Sequence, residues 1–203
     1  MEDKLLTKDN LVEKLYKYAT NPDDFNSLFK ERIKTALLQC PELLFAIDNP
    51  DYAGELFDDD GNINYEGEWS LYFGDNIRPY LFIPEVQDSA KNFVCYKVEF
   101  TEIPRYNGFE KMCQIIFVVI CDNKNIIDPS TGIARHDLIG SIIRERFNWS
   151  NIFGTQCKLV SNKEGLTDTN YITRTIILEL TLPNEAVQTI NGVPRLVNNV
   201  VRR

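Results

Sequence analysis

The apolar positions of this chain recur first at helical spacing, then fall silent through an acidic stretch, then alternate as strands do. The densest pattern lies between residues 112 and 182. It opens on an apolar run, Met112 to Cys121. This predicts a strand buried on both faces, covered by the chain on both sides or by a helix on one and a neighbouring subunit on the other. Asp122 to Gly132 is turn-rich. Ile133 to Phe147 is amphipathic, with Leu138, Ile139, Ile142, Ile143 and Phe147 forming one stripe. Arg135, Asp137, Arg144, Glu145 and Arg146 lie mostly off it, and Ser130 or Thr131 is placed to cap it. Gln156 to Ser161 and Tyr171 to Leu182 then read as paired strands across a polar connection, Asn162 to Asn170. In the second of them Ile172, Arg174, Ile176, Leu178 and Leu180 share a face. Arg174 interrupts it near the strand's start, where it can reach solvent or a partner.

Upstream, residues 8 to 19 predict a short helix with Leu11, Leu15 and Tyr18 in phase and Asp9 or Asn10 as its cap. Asn21-Pro22-Asp23-Asp24 breaks it and starts another, whose face is Phe25, Leu28, Phe29, Ile33, Ala36 and Leu37. Pro41 ends that helix, and Glu42 to Ile47 resumes a turn. From 48 to 76 the apolar period disappears among nine carboxylates and four glycines. This reads as a long acidic surface excursion with a hairpin around Tyr65 to Phe73. Ile77 to Pro84 holds two prolines and suits a sheet edge or extended arm. In Phe93 to Thr101, Val94, Tyr96, Val98 and Phe100 alternate with Cys95, Lys97 and Glu99 as in a half-buried strand. The fold expected is α+β: a mainly antiparallel sheet with an amphipathic helix packed across it, plus N-terminal helices and the acidic excursion. Residues 1–183 form one domain. Residues 184–203, with Pro194 and a basic finish, are either a terminus without fixed structure or an arm that orders on a neighbour.

Composition narrows the chemistry. A net charge of −8 argues against a dedicated nucleic-acid binder. The five cysteines, Cys40, Cys95, Cys113, Cys121 and Cys157, are dispersed and odd in number, as in a reducing compartment. The chain is expected to be made in the cytosol, with no membrane span. Asp58-Asp59-Asp60-Gly61-Asn62-Ile63 sets Gly61 and Ile63 in an EF-hand register. That register puts Leu56 and Gly67 where carboxylates are required, so a solvated acidic turn is the better reading. The single histidine, His136, has no motif around it and reads as a surface or helix-end residue. No catalytic residues, metal site or cofactor are expected.

The order of the second half resembles bacteriophage tail-terminator and tail-completion proteins, the ring-forming subunits of the head–tail junction. Ile115 to Asp122, Ile133 to Ile139, Leu159 to Ser161 and Arg174 to Leu180 carry the resemblance, over about half of the chain. The longer first half is similar to connector proteins of crAss-like phages. The resemblance implies a non-enzymatic virion protein at the head–tail junction. It would be a homo-oligomeric ring, sixfold or twelvefold, contacting portal and tail proteins, through which DNA passes without specific binding. The candidate inter-subunit contacts are Asp58, Asp59, Asp60, Lys163, Glu164, Arg174, Arg195, Arg202 and Arg203, the terminal arginines meeting the acidic turn of a neighbour. The alternatives are a monomeric or dimeric α+β adaptor working through a hydrophobic groove, and an enzyme with a site scattered along the sequence.

Overall fold

The computed structural model describes residues 7–19, 25–82, 84, 91–102, 110–167, 171–183, 186–190 and 193–196. Its centre is β3 (Glu110–Asp122), the apolar run predicted to be buried. On one side β3 pairs with β2 (Phe93–Glu102), and on the other with β5 (Tyr171–Pro183), both antiparallel. Two short or peripheral strands finish the sheet. β1 (Ile77–Arg78) adds in parallel to β2, as the prolines beside it require of an edge, and β4 (Lys158–Leu166) adds antiparallel to β5. The order is β1-β2-β3-β5-β4, a mixed, mostly antiparallel sheet in an α+β fold.

Alternation decides which residues meet the helices. Cys113, Ile115, Phe117, Val119 and Cys121 of β3 face one way and have no exposed surface. Register brings Tyr96 and Ile176 to either side of Phe117. Over this face lie α2 (Phe25–Leu38), α3 (Pro41–Ile47) and α5 (Arg135–Phe147), contributing Phe29, Ile33, Leu43, Leu44, Ile139, Ile143 and Phe147. An aromatic seam joins the layers: Tyr96 to Phe117, Phe117 to Phe147 at 5.0 Å between centroids, Phe147 to Phe153, and Phe153 to Phe29 at 5.0 Å. Lys111 is buried on the same strand, with its ammonium over the rings of Phe25 and Phe100.

Among the described residues, the opposite face of β3 is covered at one end only. Phe93, Cys95, Ile120 and Tyr171 gather there under Phe82. Phe82 packs edge-on against Phe93, with the Arg78 guanidinium 3.9 Å from its ring centroid. At the far end Met112 is exposed, and Gln114 hydrogen-bonds across the sheet to Glu179. Burial on both faces therefore holds for half of the strand.

The acidic stretch is more structured than its composition predicts. It holds a 3-10 turn (Pro50–Tyr52), α4 (Ala53–Leu56) and a second 3-10 turn (Trp69–Tyr72) where the hairpin was expected. Leu56 and Tyr72 are buried, Tyr72 under the ring of Tyr52. Three buried asparagines fasten the segment to the sheet. Asn49 donates to Asn76, Asn76 to the Asn92 carbonyl, and Asn92 to the Ile47 carbonyl. Gly67 lies so close to the Glu55 carbonyl that a Cβ there would clash with its oxygen. Side-chain amides supply what an apolar period does not, which is why the sequence pattern misses this order.

α1 (Lys8–Ala19) starts before Asp9 and Asn10, so neither caps it; the Leu11 amide instead bonds the Thr7 carbonyl. Leu11, Val12, Leu15 and Tyr16 are exposed. All five cysteines are buried and unpaired, and burial pushes the thiols of Cys95, Cys113 and Cys121 up to about 12. These three are expected to resist an alkylating reagent at pH 8 in the native protein and to react within minutes once it is unfolded, counted by mass spectrometry. Fast native labelling of Cys121 would contradict the packing of β3.

Candidate inter-subunit surface at the sheet edge

The start of α5 is built by the turn before it. The Asp128 carboxylate accepts from the Thr131 amide and hydroxyl, Gly132 turns with φ +70°, and Ile127 bridges to Ala134. Thr131 is thus occupied by Asp128. The helix begins at Ala134 with no side-chain cap, a departure from the expected Ser130 or Thr131. The same turn drives Arg135 and His136 inward: the arginine departs from the expected off-stripe position, and the histidine stands at a helix end, one of the two places expected, but is buried. Arg135 is 1% exposed. It donates to the Ala46 and Asn125 carbonyls and pairs with Asp48 at 3.1 Å and Asp128 at 3.5 Å. One guanidinium therefore ties α3, the 122–134 turn and α5 together. Thr131's hydrogen bond, with the Arg135 charge adding, holds the Asp128 carboxyl below the usual carboxylate range against its burial.

One residue further on, the helix meets the sheet through charge. Arg174, on the helix-facing side of β5, bonds Asp137 and Asn162 and lies 3.4 Å from Glu164. The buried His136 presents Nε2 to Glu164 at 3.2 Å and to Asp137 at 3.5 Å. Gly140 permits the approach, since a Cβ there would lie 2.6 Å from Arg174 Cδ. His136, Asp137 and Glu164 are the one group with metal-ligating spacing among the described residues. The Arg174 guanidinium already holds the position between the two carboxylates that a cation would take. The arrangement is an ion-pair cluster that seats α5 on the β5–β4 end of the sheet.

Among the described residues no strand lies beyond β4, so this end of the sheet is an open edge. The sequence placed Asn162 to Asn170 in a connection, yet the strand runs on through Leu166. Its side chains mostly face water, which removes the alternation that would have marked it. Thr167 N bonds the Tyr171 carbonyl. In the continuing register Gly165, Lys163 and Ser161 therefore turn their amides inward to β5, while Asn162, Glu164 and Leu166 turn theirs outward. Nearer the strand's start the edge is closed, because the Asn148 side chain accepts from the Leu159 amide. Leu166 is 75% exposed.

After β5 the backbone forms a separate hairpin of β6 (Ala186–Ile190) and β7 (Val193–Leu196), a two-stranded sheet of its own. Of the nine residues expected at contacts, Glu164 and Arg174 pair across β4 and β5, and Lys163 lies on β4 facing the other side of the sheet. Asp58, Asp59 and Asp60 form an exposed turn elsewhere, with Asp58 accepting from the Asp60 and Asn62 amides. Arg195 lies on β7, and Arg202 and Arg203 lie outside the described residues. Sequence reasoning missed His136, Asp137 and Asn162. The cross-strand pairing of Arg174 with Glu164 was the available signal, hidden by ending β4 too early.

Beside α3 and α5 an open depression of about 550 Å³ is lined by Cys40, Glu42, Ile142, Glu145, Arg146, Ser150 and Ile152. Burial raises the Cys40 thiol pKa, which disfavours a thiolate there.

Comparison with known proteins adds a class to this geometry: the chain is a phage-associated protein. It belongs to the YomW family, a phage-derived name, whose model matches residues 5–180, from ahead of α1 to Leu180 of β5. No curated protein matches the sequence.

Proposed function

We propose that this protein is a structural virion subunit, one of many copies in a ring at the phage head–tail junction, and not an enzyme. The β6–β7 hairpin, a sheet separate from the main one, carries the reading. A two-stranded hairpin is marginal in water by itself, which suits a segment completed by a neighbour. Membership of a phage-associated family and the open β4 edge support it. The partners are further copies, sixfold or twelvefold, with portal and tail proteins above and below. The acidic balance of the subunit repels DNA passing through. The exposed Asp58–Asp60 turn and the basic tail supply charge complementarity between copies.

Light scattering over a concentration series, with negative-stain microscopy of the same sample, tests this. Closed rings are expected, alone or on addition of the portal. Alanine at Arg195, Arg202 and Arg203 together should weaken assembly and flatten its salt dependence. A monomer that also ignores the portal would favour the rival reading, a monomeric or dimeric adaptor working through a hydrophobic groove.

A further inference from the structure

We infer that subunits join by strand addition: β6 of one copy pairs with the open edge of β4, residues 161–166, on the next. The inference rests on the assembly reading above and specifies its contact.

The acceptor is defined by hydrogen bonding. Asn162, Glu164 and Leu166 direct their amides away from β5, and among the described residues they meet no backbone acceptor. Unpaired edges of this kind template another strand. The donor is equally specific. β6 is five residues long, close to the open stretch, and rich in β-branched residues (Val187, Thr189, Ile190). β7 contains Pro194, which lacks an amide hydrogen, so β6 is the strand able to complete a ladder.

The chain's own hairpin cannot fill its own edge. The open stretch pairs with Ile172 to Ile177, whereas the hairpin leaves from Pro183. Six residues of β5 separate Ile177 from Pro183, about 20 Å. The link from Pro183 to Ala186 is three Cα steps, about 11 Å at most, and passing β4 to its outer side uses about 10 Å of that. β6 itself is about 17 Å long, so a strand folded back from that link ends near Ser161. The hairpin thus leaves β5 at the end away from the open stretch of β4. A contact between unlike patches repeats from copy to copy and closes when the rotation allows.

Leu166→Pro removes one outward amide and spares the ladder to β5. Val187→Pro disables the donor strand. By sedimentation of the full chain, each variant should lose self-association at least tenfold, while Leu166→Ala, which keeps the amide, should assemble as the parent does. Mixing Leu166→Pro with Val187→Pro should give a discrete one-to-one pair that grows no further, since each supplies the half the other lacks; pairing also shows that both are folded. Parent-like assembly of Leu166→Pro, no pair from two variants with native circular dichroism, or a parent chain monomeric at every concentration would overturn the inference. Rings from the parent together with normal assembly of Leu166→Pro leave the ring reading standing and remove the strand addition. The one-to-one pair together with open chains from the parent does the reverse.

Discussion

Phe147→Ala is expected to cost this protein about 3–5 kcal/mol, the usual loss for a buried aromatic truncated to alanine. Phe147 closes the last turn of α5 with no exposed surface. Its ring lies 5.0 Å from Phe117 on the central strand and 6.1 Å from Phe153 on the following turn. The Phe147 carbonyl also accepts from the Cys157 thiol, so the hole would open where α5, the turn and β4 converge. For a domain of this length the loss corresponds to a melting temperature lower by about 10 °C. Phe147→Leu should cost less than half as much. Denaturant unfolding of the three proteins decides it: equal stability of the Ala variant would mean that α5 is not seated on the sheet as described.

Arg135→Met should be nearly as damaging for a different reason. Methionine fills much of the volume but leaves the buried Asp128 without its cation, held by Thr131 alone, and it frees the Ala46 and Asn125 carbonyls. Removing one partner of a buried pair costs about 3–5 kcal/mol. Asp48 is half-exposed and can be hydrated, so Asp128 accounts for most of that. Asp128→Asn combined with Arg135→Met should therefore recover part of the loss, and strict additivity of the two would sink this account. The acid limb gives a second readout. Asp128 has a depressed pKa in the fold, so its contribution is present above the ordinary carboxylate value and disappears as pH falls through the folded one. Asp128→Asn should flatten the stability profile from about pH 4 downward.

The two substitutions also mark what was legible in the sequence. Phe147 sits on an apolar stripe with period 3.6 against strands with period 2, and those periods placed α2, α5, β2, β3 and β5 near their observed bounds. Arg135 shows where periodicity stops. Its burial depends on Asp128, Asn125 and Ala46, brought together by a turn whose geometry no hydrophobic pattern encodes. The asparagine chain through Asn49, Asn76 and Asn92 is the same case, reading as loop composition and acting as a fastening. β4 reads as ending at Ser161 because an edge strand with both faces wet has no alternation to read. The candidate contacts Glu164 and Arg174 were named without the histidine and aspartate that hold them, since those lie a helix away.

β5 has a mechanical consequence. It is matched residue for residue with β3 along its full 13-residue length, without a bulge, and the hairpin hangs from its last residue. A pull on the hairpin acts along the strand axis, across hydrogen bonds that lie perpendicular to it. Those bonds are therefore loaded together in shear and cannot be peeled one at a time. In the proposed assembly, tension entering at the β4 edge would reach β5 across the ladder that carries Glu164 and Arg174, so the ionic seat lies on the load path.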